Sequence, residues 1–383
     1  MKKGWTEKVW DEVLEIRSGR NQKQVEDSNG KFPIIGSAGK IMGYASDYIC
    51  EEGTTIIGRK GTINNPMLIK EKFWNVDTAF GLHAKDSLDK RFLHYFCLSF
   101  DFTEMDRGSG RPSLVKSDLL KIKMLVPPLP EQQRIVSILD QAFAAIDKAK
   151  ANAEKNLQNV KELLESYLQE VFENKDDGWE TATLGDVCSL YQGIAINAKT
   201  KHALVEKSEL PLLRIKDLKN NTEEQYIDPK SFPKNALVNE DDIIYTRTGS
   251  LGLVFRGRKG VLHNNSFKVI PNSKLDKDYL FIWLQNPIFK SKILHLALRA
   301  AQPDITHKIF KIQEISFPSI EEQKSMVEQL DALRSETEKL EAVYKKKMDD
   351  LEELKKSILQ KAFAGEFDTS KSITNIENKL RYE

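Results

Sequence analysis

Two short stretches of this 383-residue chain carry the side chains best suited to gripping a polyanion. Ile57-Gly58-Arg59-Lys60-Gly61-Thr62 and Tyr245-Thr246-Arg247-Thr248-Gly249-Ser250-Leu251-Gly252 each end a β-like run in an arginine flanked by glycine. Glycine lets the main chain come close to a phosphate, and the guanidinium projects a fork of donors beyond it. The same fork pairs bidentately with a guanine edge, and an asparagine amide pairs with adenine. Asn64 and Asn65 follow the first loop; Asn264 and Asn265 follow the second. A second repeated candidate lies ahead of the paired prolines, Arg107 and Arg111 in the first half, Arg299 and Gln302 in the second. Arg256, Arg258 and Lys259 form a local run suited to phosphate contacts. Lys40, Lys60, Arg214, Thr248 and Ser250 complete the candidate nucleic-acid contacts. An ordinary hairpin turn with solvated arginines is the alternative for either loop alone, and the recurrence weighs against it.

No constellation for catalysis accompanies these loops. The chain has no HExxH, GxSxG, Walker A or strand-linked GxGxxG pattern. His83, His94, His202, His263, His295 and His307 are scattered without metal-ligand spacing. No Asn/Asp-Pro-Pro-Tyr motif for holding a target adenine occurs. Pro303-Asp304 resembles the start of a nuclease carboxylate pair, but Glu314-Ile315-Ser316 lacks the lysine that would complete it. Catalytic and metal residues are therefore expected to be absent, and no cofactor is expected on this chain.

The elements that must position the loops are written twice. An offset of 191 residues aligns the chain with itself from about Pro112/Pro303 to Phe172/Phe363, matching Pro127/Pro318, Glu131/Glu322, Gln132/Gln323, Asp140/Asp331 and Gln169/Gln360. Apolar and small positions such as Ile135/Met326, Leu139/Leu330, Ala149/Leu340, Asn156, Val160/Leu351 and Leu163/Leu354 keep alternate four- and three-residue spacing, the seam of a coiled coil. The expected organisation is a globular part at 1–128, a long helix at 129–175, a second globular part at 176–318, a second long helix at 319–367 and a tail at 368–383. Each helix would be roughly 65 Å long at ~1.5 Å per residue. Inside the globular parts a short helix is expected from Glu7 to Arg17, strands at 32–36, 39–44, 54–61, 210–215, 243–248 and 267–270, and matching helices from Asp89 and Asp276. The middles of the two globular parts barely align, which suggests a shared framework carrying different recognition surfaces.

Hydrophobic content is 40% and charged content 30%, as in a folded chain with room for two or three cores. Net charge is +1 but unevenly spread: roughly +3 over 1–128 and +5 over 178–318, against −4 over 129–177 and −3 over 319–367. Three cysteines without a CxxC fit a reducing cytosol and exclude a cysteine-rich zinc site. No secretory leader and no run approaching ~18 apolar residues is present, so a cytoplasmic chain without membrane contact is expected.

With these features together, the chain resembles a specificity (S) subunit of a type I restriction–modification system. The resemblance is carried by Pro127-Pro128-Leu129-Pro130-Glu131-Gln132, Phe317-Pro318-Ser319-Ile320-Glu321-Glu322-Gln323, the ending Leu354 to Phe367, and Ile34 to Tyr44 with Ile56 to Gly61. It implies a mixed α+β fold, with two target recognition domains held on an antiparallel coiled coil with pseudo-two-fold symmetry. It also implies a bipartite site in double-stranded DNA, one half per domain, with the helices setting the unread spacer. Two methyltransferase subunits carrying S-adenosylmethionine would dock on this chain and methylate a flipped adenine in each half-site, and motor–nuclease subunits would join them. The chain itself would catalyse nothing. Arg299-Ala300-Ala301-Gln302 is poorer in glycine than the corresponding family loops. A coiled-coil scaffold with two protein-binding domains is the rival reading, and a standalone enzyme acting on DNA a third.

Overall fold

A computed structural model describes residues 4–173, 178–298 and 302–366; Arg299 and the tail at 368–383 lie outside the described residues. The chain forms two compact units, Met1–Asn156 with Tyr344–Glu383, and Leu157–Val343. The boundaries cut through both long helices, Leu129–Glu173 and Ile320–Phe363. Each unit therefore holds one globular part, the start of the helix that follows it, and the end of the other helix.

In the first unit, strand Thr6–Val9 pairs antiparallel with Lys123–Val126, immediately before the prolines. The helix expected from Glu7 to Arg17 is only the turn Trp10–Val13. The rest is strand, Thr6–Val9 before it and Leu14–Ser18 after it. The reason is burial with a period of two: Leu14 and Ile16 are buried while Glu15 is exposed, and the segment pairs with Phe80–Ala84. A four-stranded sheet runs in the order Leu14–Ser18, Ala79–Ala84, Thr54–Gly58, Met67–Ile69. A three-stranded sheet runs Ile41–Ala45, Phe32–Ile35, Trp74–Asn75, its last pair parallel.

The second unit repeats this plan. Glu180–Thr183 pairs with Glu314–Phe317. A four-stranded sheet runs Cys188–Gln192, Ser266–Pro271, Ile243–Thr246, Val254–Phe255, and a three-stranded sheet contains the parallel pair Leu212–Leu213 with Gly260–Leu262. Even a turn is conserved between them. Gly19 donates to the Ala79 carbonyl and Gly193 to the Ser266 carbonyl. A Cβ at either glycine would lie 1.8 Å from the Val76 oxygen or 2.3 Å from the His263 oxygen. The strand expected over 210–215 is shortened to Leu212–Leu213, because Ile215–Asn220 turns into a helix.

Within the first unit the two helices run antiparallel: Lys150 bonds Glu352 at 2.6 Å and Asp147 accepts from Lys355 at 3.2 Å. Phe363, at the end of the second helix, packs 5.0 Å from Phe92 and 5.5 Å from Phe96. Gly365 closes that helix at φ +77°, with Glu366 donating to the Lys361 carbonyl, a Schellman-type end. The second unit has the counterpart, Phe172 at 5.5 Å from Tyr279. The seam departs from the expected spacing. Leu163 is 61% and Leu340 44% exposed, and Asn156 is exposed, while Leu157, Val160 and Leu164 are partly buried and Thr337 is buried. From Ala149 the buried and half-buried positions advance by four, four and three, through Ala153, Leu157 and Val160, an eleven-residue step that interrupts the heptad and moves the seam off the expected positions.

The repeated glutamine explains how helix and globule are joined. Gln132 is fully buried. Its Oε1 accepts from the Asp89 N–H at 2.7 Å, and its Nε2 donates to the Ser87 and Pro127 carbonyls at 3.0 and 2.8 Å. Gln323 does the same with Asp276 N–H at 2.7 Å and the Lys274 and Pro318 carbonyls, both at 2.9 Å. Asp89 and Asp276 in turn cap the helices Lys90–Ser99 and Lys277–Trp283 through their side chains. Replacing Gln132 with Leu orphans one N–H and two carbonyls, at about 1–3 kcal/mol for each buried group. Urea unfolding of Gln132→Leu is expected to show a loss of at least ~2 kcal/mol; a midpoint equal to wild type would refute the assignment.

His94, on the helix Lys90–Ser99, has a buried Nδ1 with no hydrogen-bond partner. Burial, helped by the Arg91 charge, pushes its pKa down to about 4. A depressed histidine pKa means the unfolded chain binds the extra proton first. Its stability contribution is complete above ~6.5 and is lost as pH falls from there towards 4, by up to about 3 kcal/mol. His94→Gln is expected to flatten the stability profile across that window, as read by urea midpoints from pH 4 to 7.

Candidate nucleic-acid interface

The sheets bring together what lies far apart in sequence. Arg59 follows the strand Thr54–Gly58, and Arg247 follows Ile243–Thr246, the same strand of the same four-stranded sheet in each unit. Their main chains are held alike. Arg59 N–H donates to the Thr78 carbonyl and Arg247 N–H to the Asn265 carbonyl, both at 2.8 Å. The Arg59 carbonyl accepts from Leu114 at 2.8 Å, and the Arg247 carbonyl from Ile305 at 2.9 Å. Leu114 and Ile305 are partners in the 191-residue repeat. The strand-end arginine and the loop ahead of the prolines, separate candidates in the sequence, therefore form one site in each unit.

In the first unit this site is basic and open. Lys60 bridges to Ser113, and Gly61 donates to the Pro112 carbonyl at 2.8 Å. Gly61 sits at φ +86°, and a methyl there would come within 2.9 Å of the Arg111 guanidinium. The loop is fastened by Asp106, whose Oδ1 accepts the N–H groups of Gly108 and Ser113 at 2.8 Å each. Those two bonds, Ser113 first, hold the Asp106 carboxyl below the usual range. Arg107 spends its Nε on Asp118 at 3.2 Å. Arg59 donates weakly to the Asp77 carbonyl at 3.4 Å and lies 5.6 Å from the Phe80 ring centre. Lys40, Lys60 and Arg111 are exposed and their side chains have no hydrogen-bond or ion-pair partner among the described residues. Lys40 stands on the turn between Phe32–Ile35 and Ile41–Ala45. Gly39 of that turn approaches Met67, which pairs with Ile56 on the strand leading to Arg59.

The asparagines do not occupy equivalent places. Asn64 is a structural brace, accepting from the Phe102 N–H and donating to Asp101, both at 3.0 Å, while Asn65 is exposed. Asn264 and Asn265 lie beyond two further strands, on the turn into Ser266–Pro271, where Asn265 contacts the Arg247 main chain directly.

In the second unit most arginines are engaged with the protein itself. Arg247 forms a two-pronged pair with Asp304. Arg214 pairs with fully buried Asp217 at 2.6 Å and with Glu224 at 3.0 Å. Burial pushes the Asp217 carboxyl up, but Arg214 outweighs it and the pKa ends below the ordinary value. Arg258 donates to Asn221 at 2.6 Å and to the Thr222 carbonyl at 3.1 Å, fastening the left-handed residue that ends helix Ile215–Asn220. Contact with a polyanion by Arg214 or Arg258 would require dismantling these pairs. Arg256 is bound to Asp278 and stacks 4.2 Å over Phe281. Thr248 is half-buried, and Ser250 accepts from Lys219 at 2.8 Å. Gln302 is exposed. No cluster of three or more His, Cys, Asp or Glu able to hold a metal occurs among the described residues.

Two features were missed in the sequence. Asp304 stands out in the sequence only for a nuclease-like pattern, but its equivalence to Ser113 in the repeat puts it in the loop that the fold sets against Arg247. Ile41, Met42 and Tyr44 are exposed beside Lys40, on a glycine-bounded segment that the sequence marks only as a strand.

The family model for the type I restriction modification DNA specificity domain matches twice, over residues 2–156 and 176–347. The EcoBI specificity subunit of Escherichia coli is 23% identical, over 94% of this chain and 86% of its own. A putative type I restriction enzyme specificity subunit of Haemophilus influenzae is 24% identical, over 86% of this chain and 88% of its own. A chain from a solved type I R–M assembly superposes with a TM-score of 0.77 at 20% identity, over 96% of this chain and 99% of that one. The HsdS subunit of Thermoanaerobacter tengcongensis superposes at 0.64 and 19% identity, over 96% and 98%. Two copies of the domain, each spanning one of the two strand-end arginine sites, show that this chain belongs to the family of type I restriction–modification specificity subunits.

Proposed function

We propose that this chain reads a bipartite sequence in double-stranded DNA, one half-site per unit, and catalyses nothing itself. The observation that carries the reading is the repeated main-chain cradle, which sets Arg59 beside Lys60 and Arg111, and Arg247 beside Asp304, in the same sheet position. A strand end held rigidly by its own backbone bonds, with guanidinium and glycine at its tip, suits insertion against a groove edge. Two methyltransferase subunits dock on the helical parts, bind S-adenosylmethionine and methylate an adenine in each half-site, and restriction subunits complete the assembly. The complex works in the cytoplasm; among the described residues no helix is long and apolar enough to cross a membrane.

The test is methylated-base mapping of DNA from cells that co-express the chain with its methyltransferase. A bipartite adenine motif is expected. Arg59→Ala combined with Arg247→Ala is expected to erase that motif while the methyltransferase still co-purifies, since each lost base contact is worth about 1–3 kcal/mol. Retention of the motif by the double variant would exclude both loops from recognition.

The helices act as the spacer between half-sites. A seven-residue insertion near Ala151, matched by one near Ala342, is expected to lengthen the unread gap in the mapped motif. An unchanged gap in an inserted protein with correspondingly higher helix content by circular dichroism would remove that role.

A further inference from the structure

Arg247 and Asp304 are joined in a specific way. Arg247 Nε donates to Asp304 Oδ1 at 2.9 Å, and Nη2 donates to Oδ2. The side chains are 22% and 23% exposed. The main chain beneath is pinned on both sides, by Arg247 N–H to Asn265 and Ile305 N–H to Arg247. A guanidinium has five N–H donors in a rigid plane. With one Nε–H and one Nη2–H occupied, the donors left over are those of Nη1 and the second hydrogen of Nη2. These form a flat two-pronged edge, the shape that matches the O6 and N7 acceptors of guanine. The carboxylate also cancels the arginine charge, which weakens any sequence-blind attraction to phosphate. In the first unit Ser113 stands where Asp304 stands here, and among the described residues Arg59 is braced only by a carbonyl at 3.4 Å and the Phe80 ring.

We propose that Asp304 is a positioning residue that aims Arg247 at one guanine of the half-site read by the second unit, a requirement that Arg59 does not impose on the first. This rests on the DNA-reading function above. A side chain held before binding loses less freedom on binding, and a fixed fork discriminates acceptor patterns that a swinging one tolerates.

The experiment uses the full chain assembled with its methyltransferase subunits and duplexes bearing the mapped motif. Each guanine in turn is replaced by 7-deazaguanine, which removes N7 and leaves the base pair intact. In wild type, one guanine of the second half-site is expected to be sensitive, with binding weakened roughly 5- to 150-fold, the cost of leaving one donor of the fork unpaired in the interface. In Asp304→Asn that sensitivity is expected to disappear while every other position keeps its own, and Asp304→Glu is expected to restore part of it. The proposal is overturned if Asp304→Asn binds all duplexes more tightly with an unchanged deaza profile, which would make Arg247 a phosphate contact. It is overturned equally if the profile is unchanged and only the thermal midpoint falls, or if no guanine in that half-site is sensitive in wild type. A wild-type complex without any sequence preference would fail the functional reading itself. A preference that survives Asp304→Asn intact fails this proposal alone.

Discussion

A single buried amide in each unit decides where everything else can stand. Gln132 and Gln323 each satisfy one N–H and two carbonyls at the place where a strand, a proline stop, a capped helix and a long helix converge. A buried amide with all three bonds made is worth keeping only in one geometry, because any shift leaves polar groups stranded away from water. The long helix is thereby fixed in direction with respect to the globule it leaves. The phenylalanine at the far end of the other helix, Phe363 or Phe172, fills the apolar face of the same capped helix. Polar specificity at one contact and aromatic burial at the next give each unit a defined rather than a sliding junction.

The recognition surfaces are built on the opposite principle. Their frame is main chain: strand pairing, a glycine that must pass within van der Waals distance of a backbone oxygen, and paired N–H to carbonyl bonds around each strand-end arginine. Side chains are then distributed differently in the two units. The first leaves Lys40, Lys60 and Arg111 available, so it presents unspent positive charge. The second ties Arg214, Arg247, Arg256 and Arg258 to its own carboxylates and carbonyls, so at these arginines it presents directed donors more than unspent charge.

Much of this was legible in the sequence, and the legible part has a common cause. The 191-residue repeat exposed the helices, the proline stops and the glutamines because those features depend on local spacing and on residue types with few substitutes. The strand-end loops were found because glycine and arginine stand out there. What escaped notice depended on partners distant in the chain. The segment after Trp10 looked helical until its pairing with Phe80–Ala84 made alternation the governing period. Leu163 and Leu340 fitted a heptad that the real helices do not keep. Arg214 and Arg258 stood as candidate DNA contacts; Asp217 lies only three residues from Arg214, but its full burial, and the hold of Asn221 and the Thr222 carbonyl on Arg258, come from the tertiary fold. The likeness of the two globular parts was underestimated for the same reason: parallel strand pairs of two residues leave almost no pattern to align.

Because the cradle around Arg59 and Arg247 is made of backbone, it places little demand on which side chain stands at its tip or at the position facing it. Serine in one copy and aspartate in the other already occupy that facing position without altering the bonds beneath. Heritable drift can therefore exchange one preference for another by single codon changes, leaving the fold untouched and the rest of the machinery unaware that its address has changed.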